Sequence, residues 1–180
     1  LDAIKRLRDK TNAGVGACQK ALKEAGGDID KAIEVLRKQG IAMASKKAGR
    51  EAKNGIIESY IHLGGKMGVL VEVNCESDFV ARNDDFKAFV RDIAMQIAAA
   101  NPIYVKKEDV PEAAVNREKD IIKAQIKDKP AAAIEKITEG KLSKFYEDAC
   151  LLEQLFVKDT NLKIKDLLTS MVGKIGENIV

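Results

Sequence analysis

The chain has 180 residues, of which 46% are hydrophobic and 4% aromatic, with 31 Lys and Arg against 28 Asp and Glu for a net charge of +3. That length can bury a real core and suits one domain with a small satellite better than two equal domains. The signs of charge are interspersed, which speaks against a polyanion-binding stripe; no apolar run approaches the ~18 to 20 residues of a membrane span, and three widely separated cysteines argue against a disulfide framework.

The opening residues lack the charged, apolar and small-residue order of a secretory signal, so a cytoplasmic protein, or one of an organelle matrix, is expected, with Cys18, Cys75 and Cys150 reduced and buried. The first forty residues read as three short helices. Leu1, Ile4 and Leu7 share one face of the first, and Thr11 to Gly16 interrupts the pattern with turn-tolerant residues. The second runs from about Ala17 to Ala25, burying Cys18, Ala21 and Leu22, and ends at Gly26-Gly27 as helices with C-cap glycines do. Asp28 is the expected N-cap of the third, whose Ile29, Ala32, Ile33 and Leu36 recur at helical spacing before Gly40 closes it.

Ile41 to Lys53 is rich in Ala and Lys with a weak apolar stripe, which predicts a helical linker. Its basic cluster, Lys46-Lys47-Ala48-Gly49-Arg50 with Lys53, is short and has no interleaved aromatics, so a solvated helix face is expected in preference to RNA contact. Gly55 to His62 and Met67 to Val73 are strand candidates joined by the hairpin chemistry of Leu63-Gly64-Gly65-Lys66. Helical periodicity returns over Asp84 to Ala100, Glu112 to Lys127, Ala131 to Glu139 and Lys141 to Ala149, with Asn101-Pro102, Lys129-Pro130 and Gly140 as the breaks. Leu151 to Val157 reads as a third strand, and Ile164, Leu167, Leu168 and Met171 define a closing amphipathic helix. The expected fold is α+β: a three-helix module over residues 1–41, a helical linker over 42–53, and over 54–180 a core of a small antiparallel sheet of about three strands packed with helices.

The inventory for catalysis is thin. His62 is the single histidine, no cysteine stands at metal-ligand spacing from another or from it, and Gly64-Gly65-Lys66 lacks the remaining residues of a phosphate loop. A His62 with Cys75 dyad is a remote alternative. No catalytic residue, cofactor or metal is expected, and the residues fit a protein that acts by binding another protein. The stretch that draws attention is Val69-Leu70-Val71-Glu72-Val73-Asn74-Cys75-Glu76-Ser77-Asp78-Phe79-Val80-Ala81-Arg82, a buried-strand pattern that ends among turn formers and puts Asp78-Phe79 at the start of a new element. On pattern alone, folding back into the core is the more frequent fate of such an aromatic.

Several motifs in order carry a resemblance. Leu7-Arg8-Asp9-Lys10-Thr11-Asn12-Ala13-Gly14, Cys18-Gln19-Lys20-Ala21-Leu22, Gly26-Gly27-Asp28 and Ala42 to Arg50 are followed by Glu72 to Arg82 and the closing Lys174-Ile175-Gly176-Glu177-Asn178-Ile179. Over nearly its whole length the chain resembles the short form of the elongation factor Ts family. The resemblance implies a guanine-nucleotide exchange factor that binds elongation factor Tu, with a ubiquitin-associated-like N-terminal module that docks on the GTPase. Asp78-Phe79, followed by Val80, would then be a wedge near the partner's switch and Mg²⁺ site. His62 matches a histidine near that interface, Arg8 matches an N-module arginine that reaches the partner, and Val15-Gly16 stand where the family has a Met pair. Ser77 replaces the usual Thr and keeps the hydroxyl, while Asn12, Gln19 and Leu155 replace Gly, Lys and Pro. A homodimer follows from the same resemblance, which turns Phe79 from core to contact, while the charge and hydropathy patterns give the expectation of no direct nucleic acid and no membrane. A ubiquitin-like-binding or scaffolding protein that uses the Asn12 to Gly16 loop is the rival reading.

Overall fold

The computed structural model describes residues 2–11, 13–126 and 130–180. Leu1, Asn12 and residues 127–129, to which the sequence assigns a helix face, a turn and the end and break of a helix, lie outside the described residues.

The first helices form because short apolar repeats are closed by strong caps. α1 (Asp2–Thr11) buries Leu7, and Thr11 Oγ1 donates back to the Leu7 carbonyl at 2.7 Å. α2 (Val15–Glu24) begins two residues earlier than expected, because Gly14 takes the extended N-cap conformation and Val15-Gly16 become its first turn rather than loop. It ends where Gly26 and Gly27 turn left-handed (φ 62° and 88°) and donate to the carbonyls of Lys23 (3.3 Å) and Leu22 (2.8 Å), the Schellman pairing. Asp28 caps α3 (Ile29–Lys47) by accepting the N–H groups of Asp30 and Lys31 at 2.9 and 3.0 Å, and these bonds hold its carboxyl below the usual carboxylate range. The core of this module is Leu7, Cys18, Ala21, Leu22 and Ala32, mostly small side chains that bring the helices close.

The rest of the chain supplies a hairpin and the remaining helices. β1 (Asn54–Ile61) and β2 (Gly68–Cys75) form a two-stranded antiparallel sheet. At its turn the His62 N–H donates to the Met67 carbonyl and Gly65 donates to the His62 carbonyl, at 2.9 and 3.0 Å. α4 (Asp78–Arg82) and α5 (Asp84–Ala100) follow, then α6 (Glu112–Gln125), α7 (Ala131–Ala149), the two-residue β3 (Leu155–Phe156), β4 (Asp159–Lys163) and α8 (Ile164–Ile175). The chain forms two compact units: Leu1–Tyr60 with Leu70–Ala94 and Asp166–Val180, and Ile61–Val69 with Met95–Lys165.

Further elements differ from the sequence expectation, each for a local reason; the linker expected to be helical over 42–53 is helical only as far as Lys47, and the chain turns at left-handed Gly49 (φ 84°). Gly40 does not close the third helix: α3 runs on to Lys47 through good helix formers, and Gly40 instead admits α8, since a Cβ on Gly173 would lie 3.1 Å from Gly40 Cα. Gly140 likewise sits inside a continuous α7, where a single exposed glycine costs about 1 kcal/mol and does not outweigh nineteen helical residues. The strand expected over Leu151 to Val157 is mostly a 3₁₀ turn, Leu151–Glu153, because the N–H groups of Leu151 and Leu152 reach the carbonyls of Tyr104 and Val105 at 2.9 and 3.0 Å. Only Leu155–Phe156 extends, and it pairs within the chain with β4, a polar strand of one apolar residue that alternation does not reveal. Among the described residues there are thus four strands in two sheets rather than about three in one. Fully buried Gln96 secures the β3 side by donating to Gln154 Oε1 and the Leu155 carbonyl, both at 3.2 Å, and accepting the Val157 N–H at 2.9 Å.

After α8, Gly176 (φ 79°) turns the chain back along β2. Cys75 bridges antiparallel to Ile179, and Asn74 and Val180 exchange both backbone hydrogen bonds, at 2.6 and 2.9 Å. On the other side of β2, a Cβ at Gly55 (φ 156°) would overlap the Val73 carbonyl oxygen and come within 2.7 Å of Asn74 Cα. Gly55→Ala is therefore expected to destabilise the fold by more than about 1 kcal/mol, read as a fall of several degrees in Tm, whereas exposed Gly14→Ala shifts Tm little.

Candidate functional site

The acid-aromatic corner is built where β2 stops. Ser77 is extended (φ −129°, ψ 156°) and caps α4, its Oγ accepting the Val80 N–H at 3.4 Å. One turn of helix follows, anchored by buried Ala81, and Asn83 then caps α5 by accepting the N–H groups of Asp85 and Phe86. A helix of five residues cannot hold itself in water, because helix nucleation is unfavourable and so few residues do not offset it. Tertiary bonds therefore have to set its position.

Those bonds come from the closing residues. Glu177 accepts the Ser77 N–H at 3.0 Å with one carboxylate oxygen and the Ser77 hydroxyl at 2.6 Å with the other. Glu76 accepts the Asn178 N–H at 2.7 Å, and its second oxygen faces Arg50 at 3.3 Å; Lys47 lies 3.9 Å from the first. Asn178 donates its amide to the Arg50 carbonyl at 2.7 Å, and Asn54 donates to the Glu76 carbonyl at 2.9 Å. The Asn178 N–H, aided by Arg50 and Lys47, holds the Glu76 carboxyl below its ordinary value of 4.5. Two members of the basic cluster that the sequence assigns to a solvated face thus sit beside Glu76.

On this support Phe79 is 81% exposed, Val80 is half-buried, and Asp78 pairs with Arg82 at 2.8 Å across one helical turn. Such a pair on the surface contributes little stability. Cys75 is buried and its thiol donates to the Ser77 carbonyl at 3.1 Å; burial first, then the Glu177 carboxylate, push its pKa above the ordinary value, so at neutral pH it is a protonated thiol and a poor nucleophile. Among the described residues no group of three His, Cys, Asp or Glu is placed to hold a metal ion, and no helix is long and apolar enough to cross a membrane.

Asp78, Phe79 and Val80 are together on α4. Arg8 is exposed on α1, and Val15 and Gly16 are exposed in the first turn of α2. His62 is exposed at the hairpin turn and belongs to the second compact unit, whereas the other candidates belong to the first. Sequence reasoning missed Glu76, Glu177, Asn178 and Arg50 as the support of the corner. The closing Lys174 to Ile179 motif contains Glu177 and Asn178 but does not state which residues they bond.

Fold and corner define the class: an α+β protein that displays an apolar side chain on a braced turn. The elongation factor Ts family model matches residues 4–180. The chain is 57% identical over 178 residues to an elongation factor Ts of Thermodesulfovibrio yellowstonii, covering 98% of this chain and 89% of that protein. It is 56% identical to those of Carboxydothermus hydrogenoformans (98% and 82%) and Thermotoga neapolitana (99% and 91%). The chain belongs to the elongation factor Ts family, and so to protein biosynthesis at the elongation step.

The Glu76 carboxyl is depressed in the folded state, so its contribution is present above the ordinary value of 4.5 and is lost as pH falls through and below it. Glu76→Gln is expected to lower stability at neutral pH and to flatten the loss of urea midpoint between about pH 5 and about pH 3.

Proposed function

We propose that this chain binds elongation factor Tu and promotes release of GDP, with Asp78-Phe79 entering beside the partner's switch and Mg²⁺ site. The observation that carries the reading is Phe79, a large aromatic left 81% exposed on a turn tied at both ends. An exchange factor needs differential affinity rather than bond chemistry: it binds the nucleotide-free GTPase more tightly than the GDP form, and GDP weakens its binding by the same factor. No side chain here is then required to act as an acid, base or nucleophile, and the protein is not an enzyme in the usual sense.

Magnitudes assign the parts. Speeding release ~10⁴-fold lowers the barrier by ~5.5 kcal/mol. Burial of one Phe contributes about 1.5 to 3 kcal/mol, so displacement of groups that hold the partner's Mg²⁺ or phosphates supplies the remainder. The helices of residues 1–41, through exposed Arg8, Val15 and Gly16, supply docking affinity, residues 42–53 link them to the core over 54–180, and His62 adds a contact of its own. A cytoplasmic location goes with this reading, without direct nucleic-acid or membrane contact.

Release of a fluorescent GDP analogue from elongation factor Tu tests it. Phe79→Ala is expected to cut the maximal rate at saturating factor by about 10- to 100-fold, and Arg8→Ala to raise the half-saturating concentration with little change in maximal rate. A wild-type maximal rate with Phe79→Ala overturns the wedge.

Homodimerisation also belongs to the reading, and it is supported by the outward face of the hairpin, where Ile57 and Leu70 are 66% and 75% exposed. Leu70→Lys is expected to shift the sedimenting species from dimer to monomer at micromolar concentration, and an unchanged dimer would exclude this face.

A further inference from the structure

The closing motif pairs with the corner in one unbroken antiparallel register. Asn74 faces Val180, Cys75 faces Ile179, Glu76 faces Asn178 and Ser77 faces Glu177. The Asn74–Val180 pair is backbone to backbone. At the end next to α4 the chemistry changes: the Glu76 carboxylate takes the Asn178 N–H, and the Glu177 carboxylate takes the Ser77 N–H. Each segment thus lends a glutamate to the other's backbone. A carboxylate reaches farther than a carbonyl, so the pairing continues while the chain leaves the sheet to start α4.

We infer that Glu177 is a positioning residue for the Asp78-Phe79 corner. The inference rests on the proposed exchange function and adds to it the residue that sets the direction of Phe79. The hydroxyl of Ser77 has one proton. Donated to Glu177 at 2.6 Å, it leaves the oxygen lone pairs to the Val80 N–H, and it strengthens the oxygen as an acceptor. Ser77 is thereby fixed in both backbone and side chain immediately before the first residue of α4, which sets the rotation of that single helical turn. Phe79 is the second residue of the turn and is 81% exposed, so burial does little to hold it. Glu177 itself is half-buried on the side of Ser77 and precedes a buried Asn178-Ile179 pair, so it acts through Ser77 rather than through a partner.

GDP release from elongation factor Tu is measured against factor concentration, with maximal rate and half-saturating concentration taken separately. Glu177→Ala is expected to lower the maximal rate about tenfold while half-saturation moves less than about twofold, and to have no further effect in a Phe79→Ala background. Ser77→Ala, which removes the hydroxyl bridge and leaves Glu177 in place, is expected to show the same split, and Ser77→Thr to restore the rate that Ser77→Ala loses. Loss of rate in Phe79→Ala with a wild-type rate in both Glu177→Ala and Ser77→Ala overturns the positioning role and leaves the wedge standing. A wild-type rate in Phe79→Ala overturns the wedge itself. A parallel loss of Tm, half-saturation and rate that is additive with Phe79→Ala assigns Glu177 to stability alone and also overturns the inference.

Discussion

The pairing of residues 74–77 with residues 177–180 is the constraint on which the corner depends. It joins segments about a hundred positions apart, so it has to offset the closure entropy of a long loop, a cost that grows only slowly with loop length. It also solves a satisfaction problem. Where β2 ends, the N–H groups of Ser77 and Asn178 lie beyond the backbone ladder, and leaving a buried donor unpaired costs more than a made bond contributes. Charge-assisted bonds to Glu177 and Glu76 satisfy both, and Arg50 and Lys47 beside Glu76 reduce the penalty for its partial burial.

Close backbone approach recurs through the first unit and depends on residues without side chains. Gly55 lies where the β2 backbone leaves no space for a Cβ, and Gly40 meets Gly173 where α3 and α8 cross. In the N-terminal helices only Leu7 and Leu22 among the buried core residues are large aliphatics, the others being Cys18, Ala21 and Ala32. Such a core buries little apolar area per residue, which raises the importance of the caps: Asp28 at the start of α3 and the Gly26-Gly27 turn after α2 each satisfy two end groups of a helix. In the second unit the comparable device is polar, with buried Gln96 and Gln154 replacing a longer strand ladder around β3.

Helices were legible where periodicity and a cap agreed. Asp28, Gly26-Gly27 and the apolar repeat of Asp84 to Ala100 each mark an end or a face that the structure keeps. Glycine misled twice, because Gly40 and Gly140 have the residue type of a helix end without the left-handed backbone that makes one; neither has a positive φ, in contrast to Gly26 and Gly27. β4 was illegible since Asp-Thr-Asn-Leu-Lys carries turn formers and a single apolar residue, and its pairing is decided by β3. The corner was legible in its residue types: turn formers after a strand, then an acid and an aromatic. Its brace was not. Nothing local to Glu177 states that its partner is Ser77, because that information lies in the register between two distant segments.

An exposed aromatic is useful for recognition only if its position is already determined. A mobile Phe79 would lose backbone and side-chain freedom on binding, about 1 to 2 kcal/mol for a single residue's backbone, which is a large part of what its burial contributes. Bonds that fix the turn in the free protein move that entropy loss from binding to folding, where the whole first unit shares it. On the proposed reading this matters more for rate than for affinity. An uncertain turn would still dock through the helical module, but the aromatic would reach the nucleotide site in only a fraction of encounters, and the apparent drive for GDP release would fall by that fraction. The brace is placed to prevent this: Glu177 bonds Ser77 and Asn178 bonds Glu76, the two residues immediately before α4, while Phe79 itself stays 81% exposed.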